Sequence, residues 1–184
     1  MSPITIPPLS DDLVSVLIDA DTIQRKVSEL AQRISADYKE CKELVVVAVL
    51  KGAFIFAADL CRQLSIAHTV DFIALSSYGN RDYTSGNVRL IMDVRENLAN
   101  KDVLIVEDIL DSGHTLSYLA RNFAARQPSS LKTAALVSKP DRLITDIKLD
   151  YLGFEIPDVW VVGYGLDYAE QHRTLPYIAV MNRT

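Results

Sequence analysis

Residues 103–115 read Val103-Leu104-Ile105-Val106-Glu107-Asp108-Ile109-Leu110-Asp111-Ser112-Gly113-His114-Thr115. The apolar, largely β-branched start predicts a core strand over 103–107 of the kind buried on both faces in a parallel sheet. Two acids stand at its end. A short loop follows, and Leu116, Leu119, Ala120, Phe123 and Ala124 then recur on one stripe, predicting a helix over 115–126 that Pro128 ends. Gly113 permits a tight turn and close approach of a ligand. Successive N–H groups at the helix start make a cradle for an anion, and Thr115 adds a hydroxyl. A ligand with a sugar diol at one end and a phosphate at the other suits this arrangement. The loop is not a Walker A motif, because Gly-x-x-x-x-Gly-Lys-Ser/Thr is missing. Nor is it a dinucleotide fingerprint, since no Gly-x-Gly-x-x-Gly follows the strand.

Outward from this loop the chain alternates between two periods. Ile23, Val27, Leu30, Ala31 and Ile34 predict a helix over 21–38, capped by Asp21 or Thr22. Strands are expected at 44–49, 70–75, 88–92, 131–137, 151–154 and 159–162, and a helix at 53–64. The first ten residues read as an extended arm. Residues 76–87 form a long polar loop with Gly79 and Gly86, read as a lid. Such alternation predicts an α/β fold, a parallel twisted sheet flanked by helices. Ligands of open parallel sheets bind beyond the carboxyl ends of the strands. That places Lys51-Gly52, residues 76–78, residues 107–115, Lys139 and the segment after Val162 around one site.

Composition narrows the function classes. The 184 residues fit one domain, and 49% hydrophobic with 23% charged residues is an ordinary globular balance. A net charge of -5 without a basic run argues against a nucleic-acid footprint and suggests that a metal ion helps carry an anionic substrate. No signal peptide is read at the N-terminus, and the apolar run at 44–50 is too short to span a membrane. Cys41 and Cys61 make no disulfide framework and are read as packing residues of a cytoplasmic protein. The three histidines suggest no zinc site, and His68 and His172 read as surface residues.

Several stretches, in order, resemble the purine salvage phosphoribosyltransferases of type I, and among them the hypoxanthine(-guanine) phosphoribosyltransferases. Residues 106–115 are similar to that family's phosphoribosyl-diphosphate signature. Leu50-Lys51-Gly52 resembles its pyrophosphate loop, and Ser-Ser-Tyr-Gly at 76–79 the start of its mobile loop. Gly-Phe-Glu-Ile-Pro-Asp at 153–158 and Val-Val-Gly-Tyr-Gly-Leu-Asp-Tyr at 161–168 resemble its base-binding segment. The likeness covers roughly residues 44–180. It implies a single domain over 1–184, with a core at about 40–150 and a small hood from about 1–20 and 151–184.

The resemblance also implies roles. Glu107 and Asp108 hold the ribose hydroxyls, directly or through Mg²⁺. Asp111, Ser112, Gly113, His114 and Thr115 bind the 5′-phosphate, and Asp111 further accepts a proton near purine N7. Lys51 and Gly52 contact pyrophosphate across a non-proline cis peptide between Leu50 and Lys51, and Arg173 meets the leaving pyrophosphate. Lys139 donates to the purine O6. Trp160, where Phe or Tyr is commoner in the family, stacks on the base, and Val161 meets it through its backbone. Asp167 joins the base side and a second Mg²⁺ site, and Ser77 and Tyr78 belong to the mobile loop. The implied reaction moves a phosphoribosyl group from 5-phosphoribosyl 1-diphosphate to hypoxanthine or guanine, giving IMP or GMP and pyrophosphate, in a homodimer or homotetramer. A regulatory, nucleic-acid-binding relative and a xanthine-preferring enzyme are the competing readings. The first needs a basic surface that the composition does not favour.

Overall fold

The computed structural model describes residue 10 and residues 12–77 and 88–182. Its centre is β2 (Leu44–Leu50), in which six successive residues are buried. Such a strand can only sit inside a sheet covered on both faces. Parallel neighbours flank it, β3 (His68–Ser77) on one side and β5 (Asp102–Leu110) on the other. Beyond β5 lie β6 (Ser130–Ser138) and β7 (Tyr151–Glu155), again parallel. The outer neighbour of β3 is β4 (Val88–Met92), which runs antiparallel. The six-stranded order is therefore β4-β3-β2-β5-β6-β7.

Alternate side chains of these strands feed two cores. Val46, Ala48, Leu104, Val106, Ala134 and Leu136 pack with α1 (Ala20–Asp37) and α2 (Phe54–Gln63). Val45, Val47, Val103, Ile105 and Ala135 pack with Leu116, Leu119 and Phe123 of α3 (His114–Ala124). The helical stripe expected on α1 is buried as read. Its cap is Asp19 instead of Asp21 or Thr22: the Thr22 N–H donates to Asp19 Oδ1 at 2.8 Å. Asp19 holds the extended backbone of a cap, which the helical residues after it cannot.

The sheet changes direction at β2 and β5. From β2 the chain moves outward to β3, and from β5 it moves the opposite way to β6 and β7. A crevice forms beyond strand ends where the order reverses. Pairing between β2 and β5 stops at Ala48 and Val106, whereas β5 continues beside β6 to Leu110 and Ser138. Glu107 and Asp108 thus lie within β5, three and two residues before its end. The strand runs on because its β6 side still has a partner, even where its β2 side has none.

A second sheet was not expected from the sequence. β1 (Leu13–Ile18) and β8 (Val161–Val162) both pair antiparallel with β9 (Ile178–Met181). The strand expected at 159–162 therefore belongs to this three-stranded sheet and not to the central one. Ser76 and Ser77, expected in the loop, end β3 opposite Arg89 and Val88. Tyr78 and the rest of the expected lid to residue 87, like residues 1–9 of the expected arm, lie outside the described residues.

Both cysteines are free and partly buried against the α1–α2 core. Burial pushes the Cys61 thiol up to about 11. At pH 8 its alkylation by iodoacetamide is expected to be about 10²-fold slower in the native protein than in denaturant, because so little thiolate is present. Equal rates would show that the α2 packing around it opens freely.

Candidate active site

Three backbone segments meet where β2 and β5 part. The first is the turn after β2, entered through a cis peptide between Leu50 and Lys51, as the family resemblance implies. A Cβ at Gly52 would overlap the Asp108 carboxylate, and one at Gly165 would overlap the Gly52 carbonyl oxygen. Glycine at both positions is what lets the turn, the acidic strand and the 163–166 hairpin stack in contact. Gly165 also sits at φ 106°, in the region that favours glycine.

Glu107 and Asp108 are both 8% exposed, which rules out a solvated surface pair. Burial pushes the Glu107 carboxyl well above the usual range, and the neighbouring Asp108 adds to it. Burial raises Asp108 as well, against the opposing pull of its contact with Glu107, of backbone N–H groups and of Arg173. The Glu107 Oε2 atom is buried with no protein partner. Two carboxylates so placed call for a cation or hydroxyl donors. This donor set fits Mg²⁺, which binds through one or two carboxylates together with waters and substrate oxygens. Among the described residues no three His, Cys, Asp or Glu side chains gather around one point, so protein ligands alone make no complete cage.

After β5 the chain turns through residues 111–113 into α3. Gly113 is the N-cap at φ 86° and supplies no side-chain hydrogen bond to the helix start. The first-turn N–H groups of α3, beginning with those of His114 and Thr115, are thereby without a side-chain cap and suit an anion. Leu143, Thr145 and Ile147 pack where a Cβ at 113 would stand, which fixes the loop from beneath. Ser112 accepts from the Ile144 N–H at 3.2 Å.

Asp111 opens a second chain of charges. It accepts from Arg142 Nε at 2.5 Å, and Arg142 Nη1 lies 3.5 Å from Asp158. Asp158 in turn lies 3.6 Å from the buried Lys139 ammonium, which stands 5.9 Å from the Trp160 ring centroid. Trp160 meets Tyr168 edge to face, with centroids 6.4 Å apart and planes at 82°. The result is a wall with an aromatic face and a cationic donor, suited to a flat heterocycle bearing a carbonyl. The Trp160 carbonyl accepts from the Met181 N–H at 2.8 Å, and Val161 pairs with Val180, so the wall is carried by the small sheet.

A third group gathers on the 163–175 hairpin. Arg173 donates to the Gly165 carbonyl at 2.8 Å and pairs with Asp167 at 2.8 Å. Glu170 accepts from Arg173 at 3.2 Å and from Lys51 at 3.0 Å. The Nε of Arg173 is buried without a partner. His172, read as a surface residue, instead meets Asp12 at 2.8 Å and ties the hairpin to the start of β1.

Lys51, Gly52, Asp108, Asp167 and Arg173 are thus linked around one crevice, and Asp111, Lys139 and Trp160 around its neighbour. Ser77 stands at the end of β3, and Tyr78 lies outside the described residues. Arg142 and Glu170 were not among the residues expected at the site, and Asp158 and Tyr168 entered only as the last residues of the two stretches that resemble the base-binding segment. Lys-Pro-Asp-Arg at 139–142 carried the one available signal, a second cation a helical turn beyond the lysine.

A model of the phosphoribosyl transferase domain family matches residues 17–169. A hypoxanthine-guanine phosphoribosyltransferase of Bacillus subtilis is 46% identical over 173 residues, covering 94% of this chain and 96% of that protein. A hypoxanthine phosphoribosyltransferase of Salmonella typhimurium is 45% identical, covering 90% of this chain and 93% of its own. Among solved structures, a hypoxanthine phosphoribosyltransferase of Trypanosoma cruzi superposes with a TM-score of 0.90 at 38% identity, over 96% of this chain and 95% of that one. A hypoxanthine-guanine phosphoribosyltransferase of Bacillus anthracis does so with 0.88 at 46% identity, over 92% and 99%.

The buried acids carry a stability consequence. Glu107 has a folded-state pKa above its unfolded value, so its contribution to stability falls as pH rises beyond about 4.3, the usual carboxylate range. Glu107→Gln removes that charge. Without ligand or divalent cation, the variant is expected to melt above the parent at pH 8, by a margin that shrinks toward pH 5. An equal or lower melting temperature at pH 8 would contradict an uncompensated charge at this position.

Proposed function

The chain belongs to the phosphoribosyl transferase domain family, and on that premise we propose the activity of its hypoxanthine(-guanine) relatives. It is a purine salvage enzyme, a pentosyltransferase that moves the 5-phosphoribosyl group from 5-phosphoribosyl 1-diphosphate to N9 of hypoxanthine. Guanine is the expected second substrate, so the products are IMP or GMP and pyrophosphate. The observation that carries this reading is the meeting of two unlike subsites at one strand end. On one side are a buried acid pair and an uncapped helix start, matched to a diol and a phosphate. On the other are Lys139 and Trp160, matched to a 6-oxo heterocycle.

The steps follow from these groups. N9 of the base forms its bond to C1′ as the bond from C1′ to the pyrophosphate oxygen breaks, with positive charge developing on the ribose. Asp111 accepts a proton near N7, which makes the base a better nucleophile. Lys139 donates to O6 and Trp160 offers its face to the ring, while the Val161 backbone borders the base. Ser112, Gly113, His114 and Thr115 hold the 5′-phosphate through N–H groups and the Thr115 hydroxyl. Arg173, Lys51 and the Gly52 turn receive the leaving pyrophosphate, and a guanidinium fork suits its oxygens. Glu107 and Asp108 would hold a Mg²⁺ ion, whose chemistry would be to neutralise charge on the leaving group, and Asp167 would be the protein ligand for a second ion.

A single domain with its core at about 40–150 and a hood built from both chain ends accords with the separate sheet of β1, β8 and β9. A homodimer or homotetramer in the cytoplasm completes the proposal. No helix of the described residues is long and apolar enough to cross a membrane.

Purified protein with Mg²⁺, the diphosphate donor and hypoxanthine is expected to form IMP, and a chelator to stop turnover until Mg²⁺ is restored. No product with hypoxanthine, guanine or xanthine would overturn the reading. Asp111→Asn is expected to lower kcat by about 10²–10⁴-fold with donor affinity largely kept, the range for lost proton transfer. An unchanged kcat would return Asp111 to loop architecture. Gly52→Ala displaces the Asp108 carboxylate and is expected to reduce kcat/KM about 10²-fold, as ångström-scale misplacement does.

A further inference from the structure

One oxygen of Glu170 serves two cations. Its Oε2 accepts from Lys51 Nζ at 3.0 Å and from Arg173 Nη2 at 3.2 Å. These are the cations assigned above to the leaving pyrophosphate, and the inference rests on that reading. An anionic oxygen between an ammonium and a guanidinium is what a bound phosphate would also present. We infer that Glu170 is an anion placeholder: its carboxylate neutralises Lys51 and Arg173 in the ligand-free protein and is displaced when pyrophosphate, free or as part of the donor, binds there.

The surroundings favour displacement over a supporting role. Arg173 is aimed without Glu170, because the Gly165 carbonyl and Asp167 both hold it at 2.8 Å and its side chain is only 17% exposed. Its Nε is buried and lacks an acceptor, and Nη2 is the atom that Glu170 covers. Lys51 is different. Among the described residues its polar partner is Glu170, and both side chains are about two-thirds exposed, at 67% and 63%. An exposed pair of this kind is weak and screened by salt. A multiply charged anion can therefore displace it at a cost of only a few-fold in affinity.

The local backbone keeps the placeholder in reach. Ala169 and Glu170 sit at φ 49° and 66° in a tight turn closed between Tyr168 and Gln171. The Glu170 N–H donates to Asp167 Oδ2 at 2.8 Å. Lys51 lies 119 residues earlier in the chain, so the contact exists only because the turn stands over the pyrophosphate loop.

Glu170→Gln removes the charge and keeps the shape. Calorimetric titration with Mg-pyrophosphate at low salt is expected to show binding about two- to five-fold tighter than to the parent, the scale of an exposed ion pair. The KM for the donor should fall by a similar factor while the KM for hypoxanthine stays put. The difference should close as ionic strength rises from about 0.01 M to about 1 M. Glu170→Ala should shift pyrophosphate affinity in the same direction. Unchanged or weaker pyrophosphate binding in both variants would overturn the placeholder. Titration with pyrophosphate needs no turnover, so the two readings fail separately. A parent protein that makes no nucleotide refutes the proposed activity. Normal turnover with unaltered pyrophosphate affinity in Glu170→Gln refutes the placeholder alone.

Discussion

Two carboxylates on consecutive residues of a central strand, with one oxygen left without a partner, are the constraint around which this molecule is arranged. Such burial opposes folding unless surrounding packing offsets it. The offset here comes from the most densely buried part of the fold: β2 on one side, β6 on the other, and helices over both faces. The acids do not help hold the sheet together. The sheet holds them, at the one place where pairing to β2 has ended and pairing to β6 continues.

Close backbone packing is the second consequence. The Gly52 turn can lie against Asp108, and the Gly165 turn against Gly52, only because neither glycine has a side chain. This stack brings three distant stretches of chain to one crevice. It also explains why the cations gathered beside this stack, Lys51 and Arg173, come from turns instead of from the strands themselves.

Much of the central sheet and of the site was legible in the sequence. Continuous apolar runs gave β2, β5 and β6, and the helical stripe gave α3, because buried strands and amphipathic helices write their environment into residue order. The signature at 106–115, Lys51-Gly52, Lys139 and Trp160 were readable because each lies on its own motif. What escaped was set by distance or by weak local pattern. β1 has exposed Val14 and Val16 and no clean alternation, so its pairing with β9 left no trace in its own residues. Glu107 and Asp108 read as the end of a strand because charge normally marks solvent. Arg142 with Asp111 and Glu170 with Lys51 are separated by 31 and 119 residues, so neither pairing is written in local sequence, even though Lys-Pro-Asp-Arg at 139–142 shows a second cation close to Lys139.

The small sheet joins the beginning of the chain to its end. Leu13 pairs with Met181, the Asn182 N–H donates to the Asp12 carbonyl, and His172 reaches Asp12. Contacts of such long sequence separation carry the largest loop-closure entropy and form late. The aromatic wall hangs from this sheet through the Met181 contact to Trp160, whereas the acid pair and the anion cradle stand on β5 and α3 and are braced by β6 and by Leu143, Thr145 and Ile147, all earlier in the chain than β9. During synthesis the ribose-phosphate half of the crevice can therefore assemble while the chain is still growing, and the half that faces the base waits for the last strand to emerge. A chain cut short before β9 lacks the strand from which the Trp160 wall hangs.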